Sequence, residues 1–241
     1  MTTFQIPGLD YGSDESSPEP EEDPLESHMC IDCYSIAMKI VQQPKGTPLA
    51  DKYLAVHELS NEEIVLFGNA LKETDVDPDG DDFIHCDRCN CYYRASCKEH
   101  PLFWVKDREP SKNSKPEDRA RMTAPAFISI KTSSIPNAGL GAFAEACIPV
   151  GMVFGPYQGI LIDDTSEAEK DGYCWELRRQ GTKPTSVPVL RWCILSSNPT
   201  NQNLLAFQYC GGVYYRVIRP IKIKDELLGG KNRCLRISRF Q

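Results

Sequence analysis

Four soft metal ligands fall within residues 86 to 100 at the spacing C-x2-C-x7-C-x2-H: Cys86, Cys89, Cys97 and His100. A structural zinc site fills all four corners of a tetrahedron with thiolate or imidazole ligands. A two-residue gap lets one tight turn offer a pair of side chains to one ion, and both halves of this motif have that gap. The segment is therefore expected to fold back on itself around zinc. The competing reading is a run of buried or disulfide-linked cysteines. Disulfides belong to secreted chains, and this N-terminus has no apolar core of a signal peptide. Cys91 is a spare thiol that can replace Cys89 in another register, although Cys86 and Cys89 make the better-spaced pair.

A chain of 241 residues has room for one sizeable core and a small accessory module. No run approaches the roughly 20 apolar residues of a membrane helix, so no membrane contact is expected. Eleven cysteines without a secretory leader point to a reducing compartment. The net charge of −7 sits at one end, because residues 1–26 hold eight acids and no Lys or Arg, which leaves the remainder near neutral. That balance disfavours a protein that holds DNA mainly by charge, and no direct sequence-specific DNA binding is expected.

Residues 1–27 read as a disordered acidic tail, since acids interspersed with Pro18, Pro20 and Pro24 offer too little apolar surface to offset ordering entropy. Residues 28–80 read as a helical segment followed by a loop. Ser60-Asn61-Glu62-Glu63 is a capping box. Ile64, Phe67 and Leu71 follow it at helical spacing, and Leu49, Tyr53, Leu54 and Val56 lie on a partly apolar stretch before it. The Asp-rich loop from Asp75 to Asp82 lacks the closing Glu of a calcium loop. Cys30 and Cys33, near His28, form a second C-x2-C without a matching half-site, and read as ordinary cysteines. Residues 81–107 form the zinc knuckle, and 108–122 a charged linker containing Pro110 and Pro116. Beyond it, Phe127 to Ile130 alternates in the manner of a strand. Val153-Phe154, Gly159 to Ile162, Leu204 to Phe207 and Val213 to Tyr215 are further short strands, separated by Gly and Pro. The expected fold is mainly β, made of small curled sheets rather than βαβ units, with a preceding zinc knuckle and an N-terminal helical segment. Residues 229–241 read as a divergent basic tail.

Several blocks between residues 123 and 228 carry a resemblance. They are Ile135-Pro136-Asn137-Ala138-Gly139-Leu140-Gly141, Phe154-Gly155-Pro156-Tyr157-Gln158-Gly159 and Asp171-Gly172-Tyr173-Cys174-Trp175. Gln202-Asn203-Leu204-Leu205-Ala206-Phe207-Gln208-Tyr209, Tyr215-Arg216-Val217-Ile218-Arg219-Pro220 and Glu226-Leu227-Leu228 complete the set. In this order they resemble the PR/SET domain of the PR-domain protein family. They are most similar to the branch that includes the meiotic recombination-specifying histone methyltransferase, which also places a zinc motif before its SET domain. The resemblance implies SET-type curled sheets and transfer of a methyl group from S-adenosylmethionine to a lysine of the histone H3 tail. It also implies a nuclear location and a role in chromatin and transcription among other chromatin proteins.

The same resemblance assigns sites. Ala138, Gly139, Leu140 and Tyr173 fall where the family binds cofactor, and glycines there let the backbone approach a ligand closely. Tyr157 and Tyr215 fall where it lines the catalytic channel, and aromatic rings attract an alkylammonium through their faces. Lys170, Asp171, Gly172, Tyr173, Cys174, Trp175 and Glu176 fall where an extended peptide adds to a strand edge. Without the flanking motifs, a core residue is the preferred reading of each tyrosine. Two stretches depart from the pattern. After Leu228 the family continues into a V-W-Y-G-type segment with an active-site tyrosine, whereas here Gly229-Gly230-Lys231-Asn232 follows and no tyrosine comes after Tyr215. Between Trp175 and Gln202, only Arg191-Trp192 echoes a cofactor-contacting A-N-W-M-R-Y-V-like run. The domain therefore reads as incomplete, with low or absent turnover expected. The alternative function is a catalytically silent PR module that binds proteins and regulates transcription. A third, weaker reading is an unrelated zinc-bound interaction domain.

Overall fold

The structure is a computed structural model that describes residues 25–71, 76, 80–109, 119–157 and 201–230, and the strand backbones at 174–177, 185–188 and 194–196. In chain order the elements begin with β1 (Leu25–Asp32), β2 (Ala37–Pro44), β3 (Tyr53–Leu59), α1 (Asn61–Val65), β4 (Ala70–Leu71), β5 (Ile84–Cys86), β6 (Cys91–Tyr93) and β7 (Phe103–Trp104). Next come α2 (Arg119–Thr123), β8 (Ile128–Thr132), β9 (Leu140–Ala144), β10 (Met152–Phe154), β11 (Cys174–Leu177), β12 (Thr185–Pro188) and β13 (Ile194–Ser196). The last are β14 (Leu204–Tyr209), β15 (Gly212–Val217) and β16 (Leu228–Gly230). The fold is mainly β, as the residue pattern implies, in small sheets. A three-stranded sheet of order β2-β1-β3 comes first and a three-stranded sheet of order β4-β6-β5 second. A six-stranded mixed sheet of order β13-β16-β14-β15-β10-β7 is the largest unit, and β8-β9 and β11-β12 are two-stranded ribbons.

The expected helical segment is corrected. Residues 28–59 form three strands rather than helices, and only α1 is helical in that region. The reason lies in the period of the apolar residues. Met29 and Ile31, and then Met38 and Ile40, recur at every second position, which is the repeat of a strand. Ile31, Ile40, Val41 and Val56 are β-branched and fit a pleated surface. Strand β1 is central, so Met29 and Cys30 are both buried, and the buried Ser27 hydroxyl is met by Gln42 Nε2 at 3.1 Å. The capping box does form. Ser60 Oγ accepts from the Glu63 amide at 3.2 Å and Glu63 Oε2 accepts from the Ser60 amide at 2.7 Å. The helix that it starts is a single turn, and Leu71 lies on β4 rather than on its continuation.

Several boundaries also move where a pairing partner lies outside the expected segment. Residues 25–27, placed in the tail, belong to β1, and 1–24 lie outside the described residues. The knuckle sheet recruits β4 from before residue 81. Phe103 and Trp104, at its far end, join the six-stranded sheet by pairing parallel with Met152 and Val153. The charged linker includes α2, and the Arg108 amide donates to Thr123 O at 2.9 Å. Gly229 and Gly230, placed in the basic tail, pair with Leu195 and Ser196. Residues 231–241 and the expected strand at 159–162 lie outside the described residues.

The three units meet at Val150-Gly151. The Met38 amide donates to Val150 O at 2.8 Å, the Val150 amide to Ile36 O at 2.9 Å, and the Phe103 amide to Gly151 O at 2.9 Å. Gly151 has φ +97°, and a Cβ there would stand 2.6 Å from the Pro101 carbonyl oxygen and 3.1 Å from Met38 Cβ. Both the backbone conformation and the space therefore require glycine. Replacing Gly151 with Ala should destabilise the protein by about 2–4 kcal/mol, read as a lower midpoint in urea denaturation.

Asp107 lies just past β7, where burial pushes its carboxyl up to about 6. The folded chain thus holds this proton more tightly than the unfolded chain. Its contribution to stability is present below the ordinary aspartate pKa and is lost as pH rises through about 6. Asp107→Asn should therefore raise stability at pH 7.5 by roughly 1–2 kcal/mol and leave it nearly unchanged at pH 4. Paired urea titrations at the two pH values measure the difference.

Candidate functional site

Strands β5 and β6 form a hairpin in which Cys86 opposes Cys91, with Asn90 at φ 54° in the turn. The hairpin aims the Cys86 and Cys89 thiols at the segment carrying Cys97 and His100. The four ligand atoms lie within 4.8 Å of one another. Cys89 Sγ is 3.5 Å from Cys97 Sγ, and His100 Nδ1 is 3.6, 3.3 and 3.7 Å from the sulfurs of Cys86, Cys89 and Cys97. Ligand bonds of about 2.3 Å in a tetrahedron put neighbouring ligands ~3.7 Å apart, so the donor set has the size that zinc requires. Cys91 is outside the cluster, and its thiol donates to Cys89 O. The Cys89 thiol is pushed up to about 11, first by its hydrogen bond with Cys97 and then by burial. Burial also lowers His100, which favours the neutral imidazole that a metal needs. Among the described residues this is the one such cluster. Cys30, by contrast, is buried in β1 and its thiol is pushed up to about 11 by desolvation, whereas Cys33 is exposed.

The knuckle is bolted to the large sheet by polar groups. Arg216 on β15 donates from Nη1 to His85 O at 2.7 Å and pairs through Nη2 with Asp87. Its side chain is only 11% exposed and its guanidinium lies 5.7 Å from the Phe207 ring. Tyr209 Oη donates to Arg94 O at 2.7 Å, while Asp81 Oδ2 accepts from Gln208 Nε2 and from the Gly211 amide. Burial pushes the Tyr209 hydroxyl far above the usual tyrosine range.

On the other face of the sheet, Tyr215 packs with Ala142, Ala144, Leu204, Val213 and Val217 against Tyr157 and Phe154. The Tyr157 and Tyr215 rings lie 6.1 Å apart at 60°. The two tyrosines singled out in the sequence therefore come together, in a cluster that also holds Ala142 and Ala144 of β9. The turn of that hairpin contains Ala138, Gly139 and Leu140. It is closed by the Ser133 amide on Gly139 O at 2.9 Å and the Ala138 amide on Ile135 O at 3.2 Å. Gly139 has φ +78° and a Cβ there would meet nothing within 4 Å, so the turn is open on that side.

Two residues quoted in the sequence blocks, but given no role, hold this turn. Glu226, 7% exposed, accepts from Ser133 Oγ at 2.6 Å and the Ser134 amide at 3.0 Å, and also from Ser134 Oγ. Asn203 Nδ2 donates to Glu226 O at 2.8 Å and Asn203 Oδ1 accepts from the Leu228 amide at 2.8 Å. The available signal was their place inside the Gln202-Asn203 and Glu226-Leu227-Leu228 blocks. Of the expected peptide strand, Lys170, Asp171, Gly172 and Tyr173 lie outside the described residues. Cys174, Trp175 and Glu176 lie on β11, which pairs with β12 and runs near β15.

Residues 128–236 match the family model described as the PR domain of PR domain zinc finger protein 2. Over 182 residues, 72% of this chain and 65% of the relative, it is 38% identical to histone-lysine N-methyltransferase set-17 of Caenorhabditis elegans. Over 171 residues, 67% of this chain and 34% of the relative, it is 34% identical to histone-lysine N-methyltransferase PRDM7 of Homo sapiens. The chain thus spans less than two thirds of the length of either relative. Among solved structures, the methyltransferase domain of human PR domain-containing protein 2 aligns with a TM-score of 0.43 at 21% identity, covering 52% of this chain and 88% of that one.

A Cys97→Ala variant should lose metal, falling from about one zinc per chain to less than a tenth, and should melt at a lower temperature than the parent. Metal analysis by mass spectrometry and a thermal scan test both.

Proposed function

The chain belongs to the PR/SET family, and on that premise we propose that it methylates a lysine of the histone H3 tail, using S-adenosylmethionine. The Tyr157–Tyr215 pair, in one apolar cluster with Ala142 and Ala144 of the strand that follows the glycine turn, carries this reading. Relatives named histone-lysine N-methyltransferases support the reaction class. S-adenosylmethionine supplies, when bound, an electrophilic methyl on a sulfonium. Ala138, Gly139, Leu140 and Tyr173 are the residues that would hold it. Tyr157 and Tyr215 orient the lysine amine and keep water from it, their faces favouring the alkylammonium. Lys170 to Glu176 would take the peptide as an added strand. Zinc in the Cys86, Cys89, Cys97 and His100 cluster has a structural role, since protein side chains fill all four of its positions. The setting is the nucleus, with histone H3 and other chromatin proteins as partners.

One observation favours a second reading. Gly229-Gly230-Lys231-Asn232 stands directly after Leu228 where the family pattern has its V-W-Y-G-type segment, so one wall of the channel is replaced by residues of another kind. A silent PR module that binds chromatin proteins has this composition too. Methyl transfer from labelled cofactor to histone octamers separates the two. Low but measurable transfer into H3 is the outcome that upholds the enzyme reading, with Tyr215→Phe lowering kcat by about tenfold or more while calorimetric cofactor affinity changes little. Cofactor binding by a folded chain that transfers nothing to histones would assign the silent module instead.

A further inference from the structure

We propose that Arg216 is a positioning residue that couples metal loading at the knuckle to the placement of Tyr215. Successive strand residues point to opposite faces of a sheet, and here adjacent residues serve the two sites. Tyr215 enters the cluster with Tyr157, Ala142 and Leu204. Arg216 turns to the opposite side and grips the two residues that flank the metal ligand Cys86, namely His85 through its carbonyl and Asp87 through its carboxylate. His85 Nδ1 also lies 3.0 Å from Asp87 Oδ1, so the acceptor of Arg216 is itself fixed within the knuckle turn.

The guanidinium is largely removed from water, and burial lowers its pKa. A buried cation must keep its partners. Without metal, Cys86 is held toward Cys97 and His100 by thiol contacts and by packing with Tyr93, weaker ties than metal bonds, so the turn carrying Asp87 can shift more readily. Arg216 must then follow Asp87 or lose it, and either event loads the backbone of β15 at the point where Arg216 and Tyr215 pair with Val153 and Phe154 of β10, between the Gly151–Val217 and Tyr157–Val213 bonds. The coupling is reciprocal: order at β15 also strengthens metal retention. Its effect on turnover rests on the methyl-transfer reading of Tyr215, whereas the coupling itself does not.

The full zinc-loaded chain, Arg216→Met and Asp87→Asn are compared by amide hydrogen exchange at residues 213–217 and by zinc release to a chelator. Met keeps the apolar stem of the side chain. In the parent, stripping zinc should speed exchange on β15 by about tenfold or more. In Arg216→Met, exchange should already be fast with zinc bound, stripping should add less than about twofold, and zinc should leave about tenfold faster. Asp87→Asn, which keeps the bond to His85 O, should fall between, and it carries the test if Arg216→Met does not fold. Arg216→Lys should restore part of the protection. With labelled cofactor, Arg216→Met should lower kcat by about tenfold with KM for S-adenosylmethionine within about twofold. β15 exchange that ignores zinc in the parent, or that responds to it equally in Asp87→Asn and Arg216→Met as in the parent, would overturn the proposal whatever the methyl-transfer result. A zinc-dependent β15 in a parent that transfers no methyl upholds the coupling and removes only the enzymatic reading.

Discussion

Strands β14 and β15 have to bury both of their faces, and the rest of the molecule is arranged to cover them. On one face Phe207, Tyr209 and Tyr214 meet Trp104, Leu102 and the first sheet's Met29 and Met38 in a single cluster. On the other, Leu204, Val213, Tyr215 and Val217 meet the β8–β9 hairpin and Ile221. A hairpin of two six-residue strands cannot hold such surfaces in water by itself. The knuckle and the N-terminal sheet are therefore structural covers as well as modules in their own right. Their removal would expose aromatic area worth several kcal/mol at about 25 cal/mol per Å².

Polar atoms trapped by this arrangement dictate how closely the layers fit. Each buried donor or acceptor needs a partner or costs about 1–3 kcal/mol. Glu226 finds its partners 92 and 93 residues earlier, at Ser134 and Ser133. Gln208 finds Asp81 at a separation of 127. The Glu226 bonds staple the segment before β16 to the turn that is proposed to hold cofactor, and the Gln208 bond ties β14 to the knuckle side. They also explain why Asn203, a small amide facing two backbone groups of 226–228, sits where it does.

Legibility in the sequence followed the range of the interactions. The Cys and His cluster was readable because its chemistry is written in fifteen consecutive residues and needs no distant partner. The capping box at Ser60 was readable for the same reason. The length of α1 was not, because Gly68 at φ +99° and pairing of Ala70 with Tyr93 end the helix early. Strands β1 to β3 read as helix because their period-two alternation is confined to the short runs Met29–Ile31 and Met38–Ile40. What decides them is a partner layer, reached through Met38, Val150 and Gly151, that lies more than a hundred residues away.

The sequence by itself determined a zinc-sized donor set, a β-rich second half, and motif blocks in the order of a PR/SET domain. These depend on side-chain type and short spacing, which the chain displays directly. Only the tertiary structure decided that Phe103 and Trp104 extend the large sheet, that Glu226 anchors the glycine turn, and that Tyr157 meets Tyr215. It alone also shows that Arg216 reaches the knuckle from the strand of that tyrosine. Each of those is a pairing between segments far apart in sequence, fixed by which buried faces and buried charges must be covered together. No local pattern encodes the identity of such a partner.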